Sequence, residues 1–217
     1  MLFVAELGTT HRGIEALAFE MVRRAKASGA DVAKFQYGWP ASKGPERRWA
    51  TENAGLIREW CNKIGIRLMA SVFSCEGLDI ALRSGVDILK IAHPYTFAKN
   101  SDEGYAQVLE MCLSSGRELV VSGNVVRGAK SLYCIPKYPM YPWEIVLPER
   151  FREYTGYSSH CHGIEDALLA IARGAKIIEK HVTLDKTDGF VKDNAFALSF
   201  EEFAEMARIG RALGRIS

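Results

Sequence analysis

Apolar and polar positions follow two rhythms along the 217-residue chain. Runs of five or six largely apolar residues read as strands: LFVAE (2–6), IRLMAS (66–71), ELVVS (118–122), SLYCI (131–135) and residues 153–158. Stretches with a helical period lie among them, over 12–27, 51–64, 77–84, 103–115 and 199–213. The first carries Ile14, Leu17, Met21, Val22 and Ala25 on one face, and the last carries Phe203, Met206, Gly210 and Leu213. Three further segments resemble one another: SGADVAKFQ (28–36), SGVDILKIA (84–92) and RGAKIIEKH (173–181). Each follows an amphipathic helix and opens with a glycine suited to ending it. Each then enters a short apolar strand of the kind buried on both faces. The helix before the last of them shows Ile164, Ala167, Leu168, Ile171 and Ala172.

Eight strands alternating with helices predict an α/β protein with a parallel sheet, a single (β/α)8 TIM barrel spanning 1–217. It is shorter than the ~250 residues typical of that fold. The fifth helix is predicted to be missing, because only the eight residues GNVVRGAK join Ser122 to Ser131. A parallel crossover with its helix needs about ten or more. The sixth connection, PKYPMYPWEIVLPER, holds four prolines and reads as irregular. An apolar flank carrying Tyr141, Trp143, Ile145, Val146 and Leu147 is therefore expected beside it. Either a homodimer or a tight complex covers that flank, or the 136–150 segment folds back over it.

Composition narrows the class. Hydrophobic residues make up 48% and charged residues 25%, ordinary for a globular domain. A net charge of +2 implies neither a nucleic-acid partner nor a membrane surface. No run reaches the length of a membrane span, and MLFVAELG reads as a strand, not as a signal peptide. Cys61, Cys75, Cys112, Cys134 and Cys161 are scattered, with no CxxC, and read as reduced thiols of a cytoplasmic protein.

Chemistry enters through strand parity. In the three similar segments, the fifth and seventh residues after the glycine share a face. That turns Lys34, Gln36, Lys90, Glu179 and His181 toward one centre at the C-terminal strand ends, where barrel active sites form. Glu6, Ser122, Ser158 and His160 end their strands at the same rim, and Lys180 has the opposite parity. His160 and His181 lie 21 positions apart across a strand–helix–strand unit, so the two imidazoles can share one divalent metal ion. The other reading is of packed or surface histidines. Cys161 is either a further ligand or a residue lining the site. Lysines with serine hydroxyls suit a phosphate, and a metal with carboxylates suits carbonyl polarisation and proton transfer. The plainer alternative is that Lys34 and Lys90 form structural ion pairs with Glu6 or Glu179.

In order, AELGTTHRG, GADVAKFQ, MASVFS, VDILKIA, LVVSGN, YPMYP, GYSSHCHGIE, GAKIIEKHVTLD and DNAFALSFEEF resemble the sialic acid synthase family. The resemblance covers nearly the whole chain and is most specific in the two histidine blocks. It implies a transferase of carbohydrate biosynthesis on a (β/α)8 barrel. Such an enzyme joins phosphoenolpyruvate to an aldehyde sugar such as N-acetylmannosamine, with Mn²⁺ or Mg²⁺ bound, and releases phosphate and a 2-keto-3-deoxy sugar acid. Carried onto this sequence, it implies that His160 and His181 bind the metal and that Glu179 supports them. Lys34, Ser71, Lys90, Ser122 and Ser158 would hold phosphoenolpyruvate, and Glu6 would handle protons near the reacting carbons. Gln36, Tyr138 and Asp193 would meet the sugar.

The chain also departs from the family pattern. His93, Pro94 and Tyr95 stand where Ser, Gly and Glu are usual, Pro136 where a polar residue is, and Ser159 where an Asp is. The loop after the second strand is short. The C-terminal antifreeze-like domain usual in the family does not follow within these 217 residues. Two other functions fit the same residues: a Schiff-base aldolase using Lys90 or Lys34, and a barrel that kept its phosphate and metal sites as a binding or scaffolding module without turnover.

Overall fold

The structure, a computed structural model, describes residues 1–215. Eight strands close into one all-parallel barrel in sequence order. They are β1 (Leu2–Glu6), β2 (Val32–Tyr37), β3 (Arg67–Val72), β4 (Ile88–Ile91), β5 (Glu118–Ser122), β6 (Lys130–Cys134), β7 (Gly156–Ser159) and β8 (Ile177–His181). The helices are α1 (Glu15–Ala27), α2 (Pro45–Glu52), α3 (Ala54–Ile64), α4 (Cys75–Ser84), α5 (Pro94–Asn100), α6 (Tyr105–Ser114), α7 (Glu165–Ala172) and α8 (Phe200–Leu213). None of these is long and apolar enough to cross a membrane.

Strand alternation divides the apolar residues into two layers. Val4, Val32, Met69, Ile88, Val120, Leu132 and Ile177 plug the barrel's interior. Phe3, Phe35, Leu68, Leu89, Val121, Tyr157 and Ile178 point the other way, into the larger shell between sheet and helices. Above the interior plug the inward positions become polar, and the site begins there.

The expected elements are present, with four differences. The 12–27 helix starts at Glu15, because Arg12 and Gly13 take left-handed conformations (φ 57° and 70°) and form a turn. The 51–64 segment is two helices, with Asn53 standing between α2 and α3. Helix α5, ahead of α6, has no counterpart in the periodic pattern of the sequence. Pro94 at its first turn and the His93 side chain at its N-cap start it, since proline's fixed φ suits that position. The seventh strand occupies Gly156–Ser159 instead of starting at 153.

No helix joins β5 to β6, as the short connection requires. The outer face of β6 is covered instead by aromatic side chains. Tyr133 packs edge-on against Phe151 and Tyr154 and stacks on Tyr157. The proline-rich connection folds back in part. Arg173 donates to the carbonyls of Leu147 and Pro148, Leu147 is buried, and Ile145 packs on the core. The expected apolar flank thus loses Ile145 and Leu147 but keeps Tyr141, Trp143 and Val146, which are 41%, 79% and 76% exposed.

Candidate active site

The polar inward positions converge at the C-terminal mouth of the barrel. Register places Glu6 beside both Lys34 and His181, Ser71 beside Lys90, and Ser158 beside Glu179. Glu179 is the hub. Its carboxylate accepts from Lys90 Nζ at 2.8 and 2.9 Å, from Lys34 Nζ at 2.8 Å and from Ser158 Oγ at 2.8 Å. Lys34 also lies 2.5 Å from Glu6 Oε2, and Gln36 Nε2 donates to Glu6 Oε1 at 3.0 Å. Two ammonium groups and two carboxylates, all buried, therefore balance in charge. Burial alone would raise the Glu179 pKa, but the ammonium charges of Lys34 and Lys90 reverse that and hold it well below the usual carboxylate range. Burial pulls Lys34 down to about 7, against the attraction of Glu179 and with the repulsion of Lys90.

A cavity of about 710 Å³ opens above this cluster. Lys34, Gln36, Ser71, Lys90, Ser122, Tyr138, Ser158, His160, Glu179, His181 and Asp193 all line it. Every expected site residue but one is thus brought to a single space. The exception is Glu6, which sits fully buried and meets its surroundings through Lys34 and Gln36. Ser122 Oγ is buried without a protein partner among the described residues, so it is free to bind a ligand. Cys161 does neither of the things expected of it. It is buried outside the cavity, where its carbonyl accepts from Lys180 at 2.6 Å. Lys180 faces the helices as its parity requires, also meeting Ser159 Oγ at 3.0 Å and Asp166 of α7 at 3.4 Å. Ser159 belongs to that outer network, so its departure from the family pattern does not touch the cavity.

The surroundings of His160 and His181 suit them as metal ligands. Their rings lie 5.5 Å apart between centroids, both on the cavity wall. Burial lowers His160 to about 3, and burial with the neighbouring His160 lowers His181 well below its ordinary value. Both are therefore neutral at pH 7, the form that ligates metal. His160 Nδ1 faces the Ile135 carbonyl at 3.3 Å, which assigns the proton to Nδ1 and leaves the Nε2 lone pair available. His181 Nδ1 lies 3.5 Å from Asp193 Oδ2, long for a hydrogen bond. Tyr138 packs on His160 at 3.9 Å and shares a hydrogen bond with Thr96 at 3.1 Å. The pair fits a divalent ion. No group of three or more His, Cys, Asp or Glu side chains among the described residues is placed to hold one, so other ligands would come from substrate and water.

Several cavity residues carry no periodic signal in the sequence: Trp39, Arg47, Thr96, Lys99, Lys192 and Phe196. They stand on loops and short helices after β2, β4 and β8. The one available clue was the general rule that the loops following barrel strands build the site. His93, at the end of β4, packs against Gly123 after β5. A Cβ at Gly123 would meet the imidazole at 2.2 Å, and φ there is +88°. His93 and Tyr95 both line the cavity, so these departures from the family pattern bear on the ligand.

The NeuB family model matches residues 46–216. An uncharacterized protein of Methanocaldococcus jannaschii is 32% identical over 94% of this chain and 68% of its own length. Human N-acetylneuraminate-9-phosphate synthase is 28% identical over 97% of this chain and 70% of its own length. Pseudaminic acid synthase of Campylobacter jejuni is 27% identical, over 95% and 71%. Among solved structures, the N-acetylneuraminic acid (sialic acid) synthetase of Leptospira borgpetersenii superposes with a TM-score of 0.86 at 27% identity, covering 99% of this chain and 84% of that one. The ordered motifs, the closed barrel and these matches agree: the chain belongs to the NeuB family, that of the sialic acid synthases and their legionaminic and pseudaminic acid counterparts.

Proposed function

We propose that this protein condenses phosphoenolpyruvate with an aldehyde sugar to give a 2-keto-3-deoxy sugar acid and phosphate. The observation that carries the reading is the charge-balanced cluster of Lys34, Lys90, Glu6 and Glu179 at the same barrel mouth as two neutral imidazoles. The named relatives, synthases of acidic sugars, support it.

Lys34 and Lys90, with the hydroxyls of Ser71, Ser122 and Ser158, bind the phosphate and carboxylate of phosphoenolpyruvate, since charge-assisted bonds are the strong ones. Glu179 keeps both ammonium groups aimed inward. His160 and His181 would hold Mn²⁺ or Mg²⁺, which when bound supplies polarisation of the aldehyde carbonyl. Gln36, Tyr138 and Asp193 hold sugar hydroxyls. C3 of the enol forms a bond to the aldehyde carbon, and the aldehyde oxygen takes up a proton. Water then adds at C2, the Glu6–Lys34 pair accepts its proton, and phosphate leaves as the ketone forms.

Incubation with phosphoenolpyruvate, Mn²⁺ and a panel of aldehyde sugars is expected to yield 2-keto acid and phosphate in equal amounts with at least one acceptor. Failure with every acceptor, including phosphorylated ones, would reject the reading. The depressed Lys34 adds a pH dependence. Loss of its proton removes a positive charge from the pocket, so affinity for phosphoenolpyruvate falls as pH rises through about 7. Calorimetric titration between about pH 6 and pH 9 checks this, and a flat profile counts against Lys34 as an anion ligand.

The same low pKa favours a second reading. An amine near neutrality at pH 7 suits Schiff-base chemistry. Borohydride trapping of a keto substrate on Lys34 or Lys90 would replace the condensation with an aldolase.

We also propose a cytoplasmic homodimer. Five free thiols suit a reducing compartment, and Trp143 and Val146 offer an apolar surface for a second copy. Light scattering at micromolar concentration should return twice the 24.1 kDa chain mass. A clean monomer would remove the dimer.

A further inference from the structure

Behind the two histidines, on the outer face of the sheet, lies a buried ion pair that the condensation does not use. The side chains of Lys180 and Asp166 are both 1% exposed. An apolar pair of similar volume would fill that space at least as well, so the fold by itself does not call for charges there. The partners of the ammonium show what it holds. Lys180 Nζ donates to the Cys161 carbonyl at 2.6 Å and to Ser159 Oγ at 3.0 Å, and meets Asp166 Oδ1 of α7 only at 3.4 Å. Ser159 Oγ in turn donates to Asp166 Oδ2 and accepts from Cys161 N at 3.2 Å. The residues on either side of His160 are thus tied to one point, and that point belongs to the residue before His181. Register pairs Ser159 with Lys180, so the clamp joins the two strands whose ends carry the imidazoles. From the cavity side the rings have no comparable polar hold. His160 Nδ1 lies 3.3 Å from the Ile135 carbonyl, and His181 Nδ1 has no hydrogen-bond partner among the described residues. Tyr138 and Phe196 pack on the rings without bonding their nitrogens. A metal-binding imidazole ordinarily takes its orientation from a firm acceptor on its second nitrogen. Here that task falls to the backbone, which is fixed from behind.

From this arrangement we infer that Lys180 and Asp166, joined through Ser159, are positioning residues for the imidazole pair. They set the separation and orientation of His160 and His181, and thereby the affinity for a divalent ion, without touching ion or substrate. The inference rests on the reading of the two histidines as metal ligands. It also accounts for one departure of this chain. Ser159 stands where an Asp is usual in the family pattern, and the carboxylate that the buried ammonium needs comes from α7 instead, as Asp166. The carboxylate has moved from strand to helix, and the Ser159 hydroxyl bridges the difference.

The test uses variants of the whole chain, read by Mn²⁺ titration and, without metal, by long-range ¹H–¹⁵N spectra of the imidazoles. Lys180→Met/Asp166→Leu removes both charges together, so neither is left buried and unpaired. Its melting curve shows whether it folds. It should bind Mn²⁺ at least about tenfold more weakly, the effect typical of losing an outer-shell partner. Its His160 and His181 rings should show mixed tautomers where the native protein shows one each. Ser159→Asp/Asp166→Ala returns the carboxylate to β7, within reach of the ammonium, and should bind Mn²⁺ within about threefold of the native protein. Ser159→Ala keeps the ion pair but frees the Cys161 amide, and should give a loss of intermediate size. A folded Lys180→Met/Asp166→Leu protein with native Mn²⁺ affinity and native ring signals overturns the inference, since the pair then only seats α7. Weakened binding that the relocated carboxylate does not rescue also overturns it. If Lys180→Met/Asp166→Leu does not fold, Ser159→Ala decides, and native affinity with native ring signals there removes the inference. If the native protein takes up no Mn²⁺, the metal-ligand reading fails separately. The metal-free spectra then decide: mixed tautomers in the variants uphold the clamp, and unchanged signals remove it.

Discussion

Truncating Glu179 to alanine is expected to destabilise the protein by about 3–5 kcal/mol, the size typical of leaving a buried charge without its partner. Here one carboxylate serves two ammonium groups. Lys34 and Lys90 are 5% and 1% exposed, and both contact Glu179 at under 3 Å. Lys34 would retain Glu6, whereas Lys90 has no other ion pair among the described residues, so it carries most of the loss. Replacing Glu6, Glu179, Lys34 and Lys90 together by apolar residues of similar volume, so that no buried charge is left unpaired, should recover much of the stability while abolishing phosphoenolpyruvate binding, because the charges serve the ligand more than the fold. The pH dependence has a definite sign. The folded pKa of Glu179 lies below its unfolded value of 4.5, so its contribution is present above about pH 4.5 and fades as pH falls toward the folded value. Urea denaturation at about pH 7 and pH 4 reads both effects. A loss under about 1 kcal/mol in Glu179→Ala would mean that water reaches the lysines and that the cluster is not a dry charged core.

Changing His160 or His181 to alanine is expected to abolish uptake of a divalent ion and, with it, condensation. Two imidazoles are the protein donors available, so either change removes half the set. The drop in affinity should exceed the roughly 10–100-fold seen when only an outer-shell partner is lost. Elemental analysis and calorimetry with Mn²⁺ measure it. Cys161→Ala is the matched control, since Cys161 adjoins His160 in sequence yet lies outside the cavity. Unchanged Mn²⁺ binding in both histidine variants would place any metal elsewhere. Binding lost in Cys161→Ala as well would point to general damage at the end of β7.

Much of this site was legible without coordinates, because a barrel strand turns parity directly into position. Once three strands were aligned on their glycines, Lys34, Lys90 and Glu179 had to share a wall, and Lys180 had to face the helices. What parity cannot report is depth. Glu6 has the same inward parity as its neighbours, yet it is sealed behind Lys34 and Gln36 and does not line the cavity. Nor can it report exchange between networks. Ser159 reads as a lost site carboxylate, whereas it belongs to a buried Asp166–Lys180 network on the outer face of the sheet.

The loops mark the boundary. Local pattern determined the number of strands, their inward and outward residues, the missing fifth helix and the histidine pair, since each depends on spacing along a few consecutive residues. Tertiary structure alone decided that Trp39 and Arg47 fold over the rim, that α5 brings Lys99 and Tyr95 to the cavity, and that Arg173 pins the proline-rich segment so that Leu147 is buried while Tyr141, Trp143 and Val146 stay exposed. Those segments have no period to read. Their paths are set by what they meet after the barrel has closed, namely a backbone carbonyl, an aromatic face or a glycine with room for an imidazole.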